Sequence, residues 1–289
     1  MEVAMQLLFT ALATGALYGA IGIGFVIVHR LTGMVNFAMG DIAVAGAFGA
    51  VVASAVMPPL TAILVGALVG AAVSVAMYHL AIHPLRKEGL MVQTIVTLGV
   101  GIALRSLIQL IFGTGPRQFD PITPGGPVSI LGASVPPQSL WLIGIAIVAY
   151  IGLAIFFDRT LAGKALSAFS VNAYAAGIVG IGLAGMATIA FALSGAIAGG
   201  VLAAQAPTSF ITAGAGLALG LKGFMAAILG GFDKLGLTLI GGMLVALVEV
   251  VFARFVDAAQ APTVVFALLI ILLIVRPEGL TRKVAVDRV

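Results

Sequence analysis

Four charged side chains sit inside long apolar stretches of this sequence: Asp41, Arg105, Lys222 and Glu249. An ionised group at the centre of a bilayer costs roughly 2.5–3.5 kcal/mol on insertion scales, so such residues are functional candidates by default. Two roles compete for them. They can form two buried ion pairs that hold helices together, or they can line an aqueous route or gate. Neither spacing nor composition says which acid faces which base. The remaining inventory is poor in chemistry. There is no cysteine, which excludes disulfides, thiolate nucleophiles and cysteine metal sites. His79 and His83 stand four residues apart, but no third and fourth ligand accompanies them. Interfacial histidines beside Arg86 and Lys87 are therefore the better reading. Gly163-Lys164-Ala165 lacks both the first glycine and the hydroxyl of a phosphate-binding loop. No enzyme constellation, metal or cofactor is expected, and any ATP used must be bound by another chain.

The elements that carry these charges follow from composition. Of 289 residues, 62% are hydrophobic and only 8% charged, with a mean hydropathy of +1.24. So few charges do not cover a water-soluble globule of this size. A chain within a bilayer must satisfy its backbone internally, as helices or as a closed barrel. Barrel strands alternate polar and apolar residues, whereas this chain runs apolar without interruption. The expected fold is an all-α integral membrane protein, a bundle of about eight to nine transmembrane helices. The apolar stretches fall at 4–28, 36–56, 60–82, 90–112, 139–157, 178–204, 213–232, 236–256 and 263–275. Lys222 and the glycines around it leave 205–235 open as a re-entrant or broken segment. The first stretch is too long for the core of a signal peptide and lacks a basic leader, so it reads as a retained helix.

Basic residues orient the bundle, because cytoplasmic loops are enriched in them. With the N-terminus outside and nine spans, Arg30, Arg86, Lys87, Arg159, Lys164, Lys234, Arg276, Arg282, Lys283 and Arg288 fall inside. Only Arg117 and Arg254 fall outside. The high pI, near 9.7, thus reflects topology and lipid contact rather than nucleic-acid binding. Residues 113–138, rich in proline and glycine, become an external loop. Residues 158–177 become a cytoplasmic segment in which Leu161, Ala165, Leu166, Phe169 and Tyr174 recur at roughly helical spacing. A short amphipathic helix there suits either the headgroups or a cytoplasmic protein. Gly15/Gly19, Gly66/Gly70, Gly195/Gly199 and Gly216/Gly220 repeat the G-x-x-x-G spacing that lets helix backbones approach closely in lipid.

Five motifs in order carry a resemblance. Asn36-Phe37-Ala38-Met39-Gly40-Asp41 opens the second stretch, and His83-Pro84-Leu85-Arg86 precedes Thr97-Leu98-Gly99. Arg159-Thr160, Gly163-Lys164-Ala165-Leu166 and Ala176-Gly177-Ile178 mark the cytoplasmic segment. Leu221-Lys222-Gly223-Phe224 continues to Gly230-Gly231, and Arg276-Pro277-Glu278-Gly279-Leu280 closes the chain. The set resembles the permeases of branched-chain amino acid ABC importers almost end to end, and favours the shorter of their two permease types. That resemblance implies a non-catalytic subunit of the bacterial inner membrane, N-terminus periplasmic and C-terminus cytoplasmic. It implies ATPase subunits, a second, longer permease and a periplasmic substrate-binding protein as partners. Asn36, Met39, Asp41, Lys222 and Glu249 would then border the translocation pathway or gate. Arg159, Gly163, Lys164, Leu166, Phe169, Ala176 and Gly177 would belong to the ATPase-coupling segment. Two positions depart from the family pattern. Met39 replaces a usual His or Gln, and Ser170-Val171-Asn172 stands where acidic residues are common. The family also moves urea, amides and aromatic acids, which remain alternatives to a branched-chain substrate. From another class, an ion-coupled secondary transporter would use Asp41 and Glu249 as proton or sodium sites.

Overall fold

The computed structural model describes residues 2–178, 180, 182–232 and 234–275. The closing Arg276-Pro277-Glu278-Gly279-Leu280 motif and the basic tail lie outside these residues. The protein is an all-α membrane protein whose helices follow the apolar stretches. They are α1 (Glu2–Thr32), α2 (Met39–Ala53), α3 (Pro59–Met77), α4 (Leu90–Phe112), α5 (Pro137–Arg159) and α6 (Leu161–Val171). Then come α7 (Ala173–Ile178), α8 (Leu183–Gln205), α9 (Gly216–Leu229), α10 (Leu235–Phe255) and α11 (Ala261–Val275). A π-turn at Tyr78–Ile82 and a 3₁₀ turn at His83–Leu85 prolong α3. Among the described residues, six helices are long and apolar enough to cross a membrane: α1, α3 with its extension, α4, α5, α8 and α10. α2 and α9 are shorter.

α1 is the central post. It is buried over most of its apolar length and packs against α8, α9 and α10. α4 and α5 are largely exposed, as helices facing lipid or another subunit must be. All four G-x-x-x-G pairs sit where backbones nearly touch. Gly15 and Gly19 meet α10 at Met243, Leu239 and Gly242, while Gly66 and Gly70 meet Gly46, Gly195 and Gly199. In lipid, apolar side chains gain nothing by leaving solvent, so close backbone contact carries much of the association.

Contacts at the helix ends define two faces. Ser134 donates its N–H to Gln6 Oε1 at 2.8 Å, so α1 begins on the face of residues 113–138. Gly33 packs on Leu90 at the opposite face. Ile211 pairs with Arg117 on the first face, and the Phe232 ring lies 4.6 Å from that of His29 near the second. Segment 205–235 therefore starts and finishes on different faces. It is broken rather than re-entrant, with a non-helical approach feeding α9.

The loop 113–138 holds more order than its composition announces. Val128–Ile130 (β1) pairs antiparallel with Ala133–Val135 (β2). Leu131 and Gly132 take φ of 50° and 83°, the left-handed pair that a two-residue hairpin turn needs. Leucine at such a position is unfavourable, which is why the turn is silent in the sequence. α8 also begins five residues later than its apolar stretch, because Gly180, at φ 86°, breaks the chain after α7.

Candidate functional site

The site begins where α1 ends. Gly33 takes φ 75° and its N–H bonds back to His29 O at 2.8 Å, a glycine stop of the kind that closes helices. Five residues then run without helix until Met39. The Met39 thioether lies against Gly24, where an added Cβ would stand 2.9 Å from Sδ. Gly24 precedes the end of α1 by eight residues, so at 1.5 Å rise per residue α2 begins about 12 Å inside the bundle. By sequence, Asp41 stands five residues past the start of the stretch 36–56 and would sit near the cytoplasmic end of a span; in the first turn of α2 it lies instead deep within the bundle.

An interrupted backbone at membrane depth must find partners within the protein. Thr97 of α4 supplies one, its Oγ1 accepting the Phe37 N–H at 3.0 Å. Asn36 Oδ1 accepts the Ala38 N–H at 3.1 Å and so starts α2. Asn36 is fully buried, and its Nδ2 has no partner among the described residues. Phe37 closes the space beneath, 5.3 Å from Phe224 and 6.4 Å from Phe25 between ring centroids. α9 also starts in this interior. Gly40 lies against Gly216 and Gly220, and Gly216 against the Asp41 carboxylate. Two short helices thus have their N-termini together inside the bundle, the arrangement that discontinuous transporter helices use to place partial charge at depth.

The four intramembrane charges form two pairs. Arg105 holds Asp41 with both arms, Nε to Oδ1 at 3.0 Å and Nη2 to Oδ2 at 3.1 Å. Lys222 Nζ lies 2.5 Å from Glu249 Oε1. Tyr18 completes the second cluster, donating to Glu249 Oε2 at 2.8 Å and accepting from Lys222 at 3.0 Å. The first pair ties α2 to α4; the second ties α9, α10 and α1. Both carboxylates are thus occupied by basic partners, which speaks against either serving as a free proton or sodium site. Of the proposed pathway residues, Asp41, Lys222 and Glu249 sit in these clusters. Asn36 lies in the interruption five residues before Asp41, and both Asn36 and Met39 are wholly enclosed by protein.

The histidines are used otherwise. His79 Nε2 lies 3.0 Å from Thr188 Oγ1, and His83 Nε2 lies 3.0 Å from Arg86 Nη1. Among the described residues, no group of three or more acidic or histidine side chains is placed to hold a metal.

The segment 158–177 folds as two helices, with a break at Asn172. Thr160 Oγ1 caps α6 by accepting the Gly163 N–H at 2.9 Å. Gly163 packs on the Phe156 carbonyl and Phe157, where a Cβ has no room. Leu166 and Phe169 are only 3% and 6% exposed, turned in against the rest of the bundle. Ala176 is buried too. What faces away from the bundle is Leu161, Lys164 and Val171, with Arg159 and Gly177 also exposed. Leu166 and Phe169 of the apolar stripe read from the sequence therefore anchor α6, whereas Leu161 of the same stripe stays exposed with Lys164 and Val171 and is free to meet a partner.

Residues 7–275 match the family described as branched-chain amino acid transport system / permease component. The chain belongs to that family. Among its relatives is the high-affinity branched-chain amino acid transport system permease protein BraD of Pseudomonas aeruginosa PAO1. It is 26% identical over an alignment spanning 99% of this chain and 98% of BraD. The corresponding permease protein LivH of Escherichia coli K12 is 27% identical, over 99% of this chain and 97% of LivH. Both are permease proteins of transport systems by name. The interrupted start at 33–38 overlaps the Asn36-to-Asp41 motif. Tyr18 and Thr97 were missed by sequence reasoning. Thr97 lay within a recognised motif without a role, and Tyr18 is a lone aromatic among small residues.

Proposed function

We propose that this chain is a membrane-spanning subunit of an ATP-binding-cassette importer that moves branched-chain or related apolar amino acids across the bacterial inner membrane. The family match over nearly the whole chain carries the reading. The interior start of α2 and α9 supports it, since a translocating subunit needs interrupted helices and paired charges at depth. ATPase subunits on the cytoplasmic face drive the cycle, a periplasmic binding protein delivers substrate, and a second, longer permease completes the pathway. Nine crossings, α1 to α5 and α8 to α11, place the N-terminus in the periplasm and the C-terminus in the cytoplasm, with 113–138 outside and 158–177 inside. Asn36, Asp41, Lys222 and Glu249 border the moving parts of the pathway, their ion pairs breaking and reforming between states. Met39 acts from behind, setting the fit of α2 on α1.

The deciding experiment is reconstitution of the four components in vesicles. Leucine with its binding protein should stimulate ATP hydrolysis and enter the lumen; stimulation by neither leucine, isoleucine nor valine would reject the substrate class. Topology is tested separately. The cysteine-free chain accepts single reporters, and Gln118→Cys should react only with external thiol reagents while Lys164→Cys reacts only from inside. Labelling of Gln118→Cys from the cytoplasmic side alone would invert the arrangement.

Coupling makes a further expectation. Leu161→Asp and Val171→Asp change exposed positions of α6, so the protein should fold and insert normally. Transport should fall sharply while basal ATP hydrolysis persists, because an apolar contact in the ATPase groove is replaced by a charge. Leu166→Asp should instead reduce the amount of folded permease, since it places a charge within the bundle. If all three variants fold and couple normally, 158–177 is not the coupling segment.

A further inference from the structure

Between Val3 and Val28, helix α1 is apolar apart from one stripe. Gln6, Thr10, Thr14 and Tyr18 recur at every fourth position, so they share one face. Gly15 and Gly19, about a quarter-turn round the helix from the stripe, are pressed against α10, and Gly22, the next position below Tyr18, is pressed against α9 and α10. The stripe faces two abutting cavities. The outer one, about 230 Å³, reaches from Gln6 and Thr10 to Val135 and Pro136 beside the hairpin. The inner one, about 310 Å³, is lined by Leu17, Leu202 and Leu219 and reaches Tyr18. Thr14, Gln205 and Ser209 line both. From Gln6 to Tyr18 the descent is twelve residues, about 18 Å at helical rise. The track therefore leads from the hairpin face well into the bundle and finishes at Tyr18, whose hydroxyl bonds to Lys222 and Glu249 beyond the cavity wall.

Hydroxyl and amide groups exposed at membrane depth cost stability unless something uses them. Thr10 satisfies its own hydroxyl by bonding to Gln6 O at 2.9 Å, and Gln205 Nε2 donates to Ser209 Oγ at 2.8 Å. Thr14 forms no such side-chain bond among the described residues, and it stands at the junction of the two cavities. No residue lining either cavity carries a formal charge. A lining of this kind suits a solute with no net charge, small polar groups and an apolar body. The inner cavity lies at the low end of the volumes of small-molecule sites.

We propose that this track is the substrate's route from the hairpin face to the charged cluster, and that Thr14 is a specificity-determining contact on it. The occupant is a zwitterionic amino acid. Its ammonium and carboxylate groups meet the Thr14, Gln205 and Ser209 side chains in succession, and its side chain lies against Leu202 and Leu219. The Tyr18 hydroxyl marks the depth at which the solute meets the Lys222–Glu249 pair. An amino acid with a charged side chain finds no counter-charge on the way and is excluded. This inference rests on the reading of the chain as an amino-acid permease.

The test uses the assembled transporter in vesicles. Thr14→Cys should react with a small water-soluble thiol reagent from the hairpin side, and leucine should slow the reaction while lysine does not. Thr14→Val, which keeps the shape of the side chain and removes the hydroxyl, should lower leucine uptake about tenfold, the effect of losing one good hydrogen bond. The folded amount of Thr14→Val, measured by monodisperse elution, should match the unmodified chain. Ala218→Phe, which fills the inner cavity from an exposed position of α9, should depress leucine uptake more than alanine uptake. If the unmodified transporter imports leucine but Thr14→Cys is inert, or reacts equally fast with leucine present, the track is not the route. The same follows if Thr14→Val transports normally. Should the unmodified assembly import no amino acid, the permease reading itself fails and the route falls with it.

Discussion

Replacing Lys222 by methionine is expected to lose most of the folded permease, and replacing Glu249 by leucine in the same chain is expected to recover much of it. Methionine matches the length of the lysine stem and removes only the charge. Glu249 is then left without its counter-charge in the bundle, with Tyr18 as its remaining hydrogen-bond partner. Breaking a buried pair from one side costs roughly 3–5 kcal/mol, whereas replacing both members with apolar residues of similar volume is often neutral. The comparison therefore separates the pair from its parts. Folded yield and melting temperature in detergent should fall in Lys222→Met, fall in Glu249→Leu, and return in the double variant. Transport gives the second readout. If the pair is only a staple, the double variant transports as well as it folds. If the pair opens during the cycle, the double variant folds and stays inactive, since an apolar contact has no reason to part. Normal folding of the Lys222→Met single variant would remove the structural role altogether.

What the sequence disclosed and what it hid divide along a physical line. Helices were legible because the signal is local. The stretch 90–112 coincides with α4, since nothing but its own hydropathy and the turn glycines at 89 and 113 sets its ends. The charged residues were legible as anomalies, because a carboxylate or ammonium in hydrocarbon is conspicuous wherever it stands. Their pairing was not. Asp41 and Arg105 are 64 positions apart and Lys222 and Glu249 are 27 apart, and nothing local encodes which helices touch. The depth of Asp41 was misjudged for a related reason. An apolar run such as Met34-Val35-Asn36-Phe37-Ala38 reads the same whether it is helical or extended, yet an extended residue advances about twice as far as a helical one. Five non-helical residues are enough to carry Asp41 from the edge of the bundle to its interior. The α6 stripe misled in another way. Helical spacing shows that Leu166 and Phe169 share a face, and is silent on whether that face meets the permease or its partner. The i,i+4 ladder from Gln6 to Tyr18 was available from the start, hidden by the hydrophobic average of α1.

The second large effect is steric, and it concerns the place where α2 and α9 begin. Gly40→Ala adds one methyl group, which in most exposed helical positions stabilises by about 0.5–1 kcal/mol relative to glycine. Here that methyl has no space. It would collide with the Gly216 carbonyl oxygen and stand 2.6 Å from Gly220 N and 2.8 Å from Gly220 Cα. All three atoms are backbone, so no side chain can rotate away, and the partners are already glycines and offer nothing smaller. The two helices must separate, which also moves the adjacent Asp41 away from Arg105 and from its seat against Gly216. Overpacking of this kind costs about 1–3 kcal/mol and occasionally more; with a buried ion pair strained alongside, the upper end is expected. Gly99→Ala is the internal comparison. Gly99 lies on an exposed face of α4 with nothing within 4 Å of its missing Cβ, so its alanine variant should melt at or above the temperature of the unmodified chain. Gly40→Ala should melt well below it and elute partly aggregated, and the surviving folded fraction should transport poorly. If Gly40→Ala proved as stable and active as Gly99→Ala, the close seating of α2 on α9, and the interior site built on it, would be wrong.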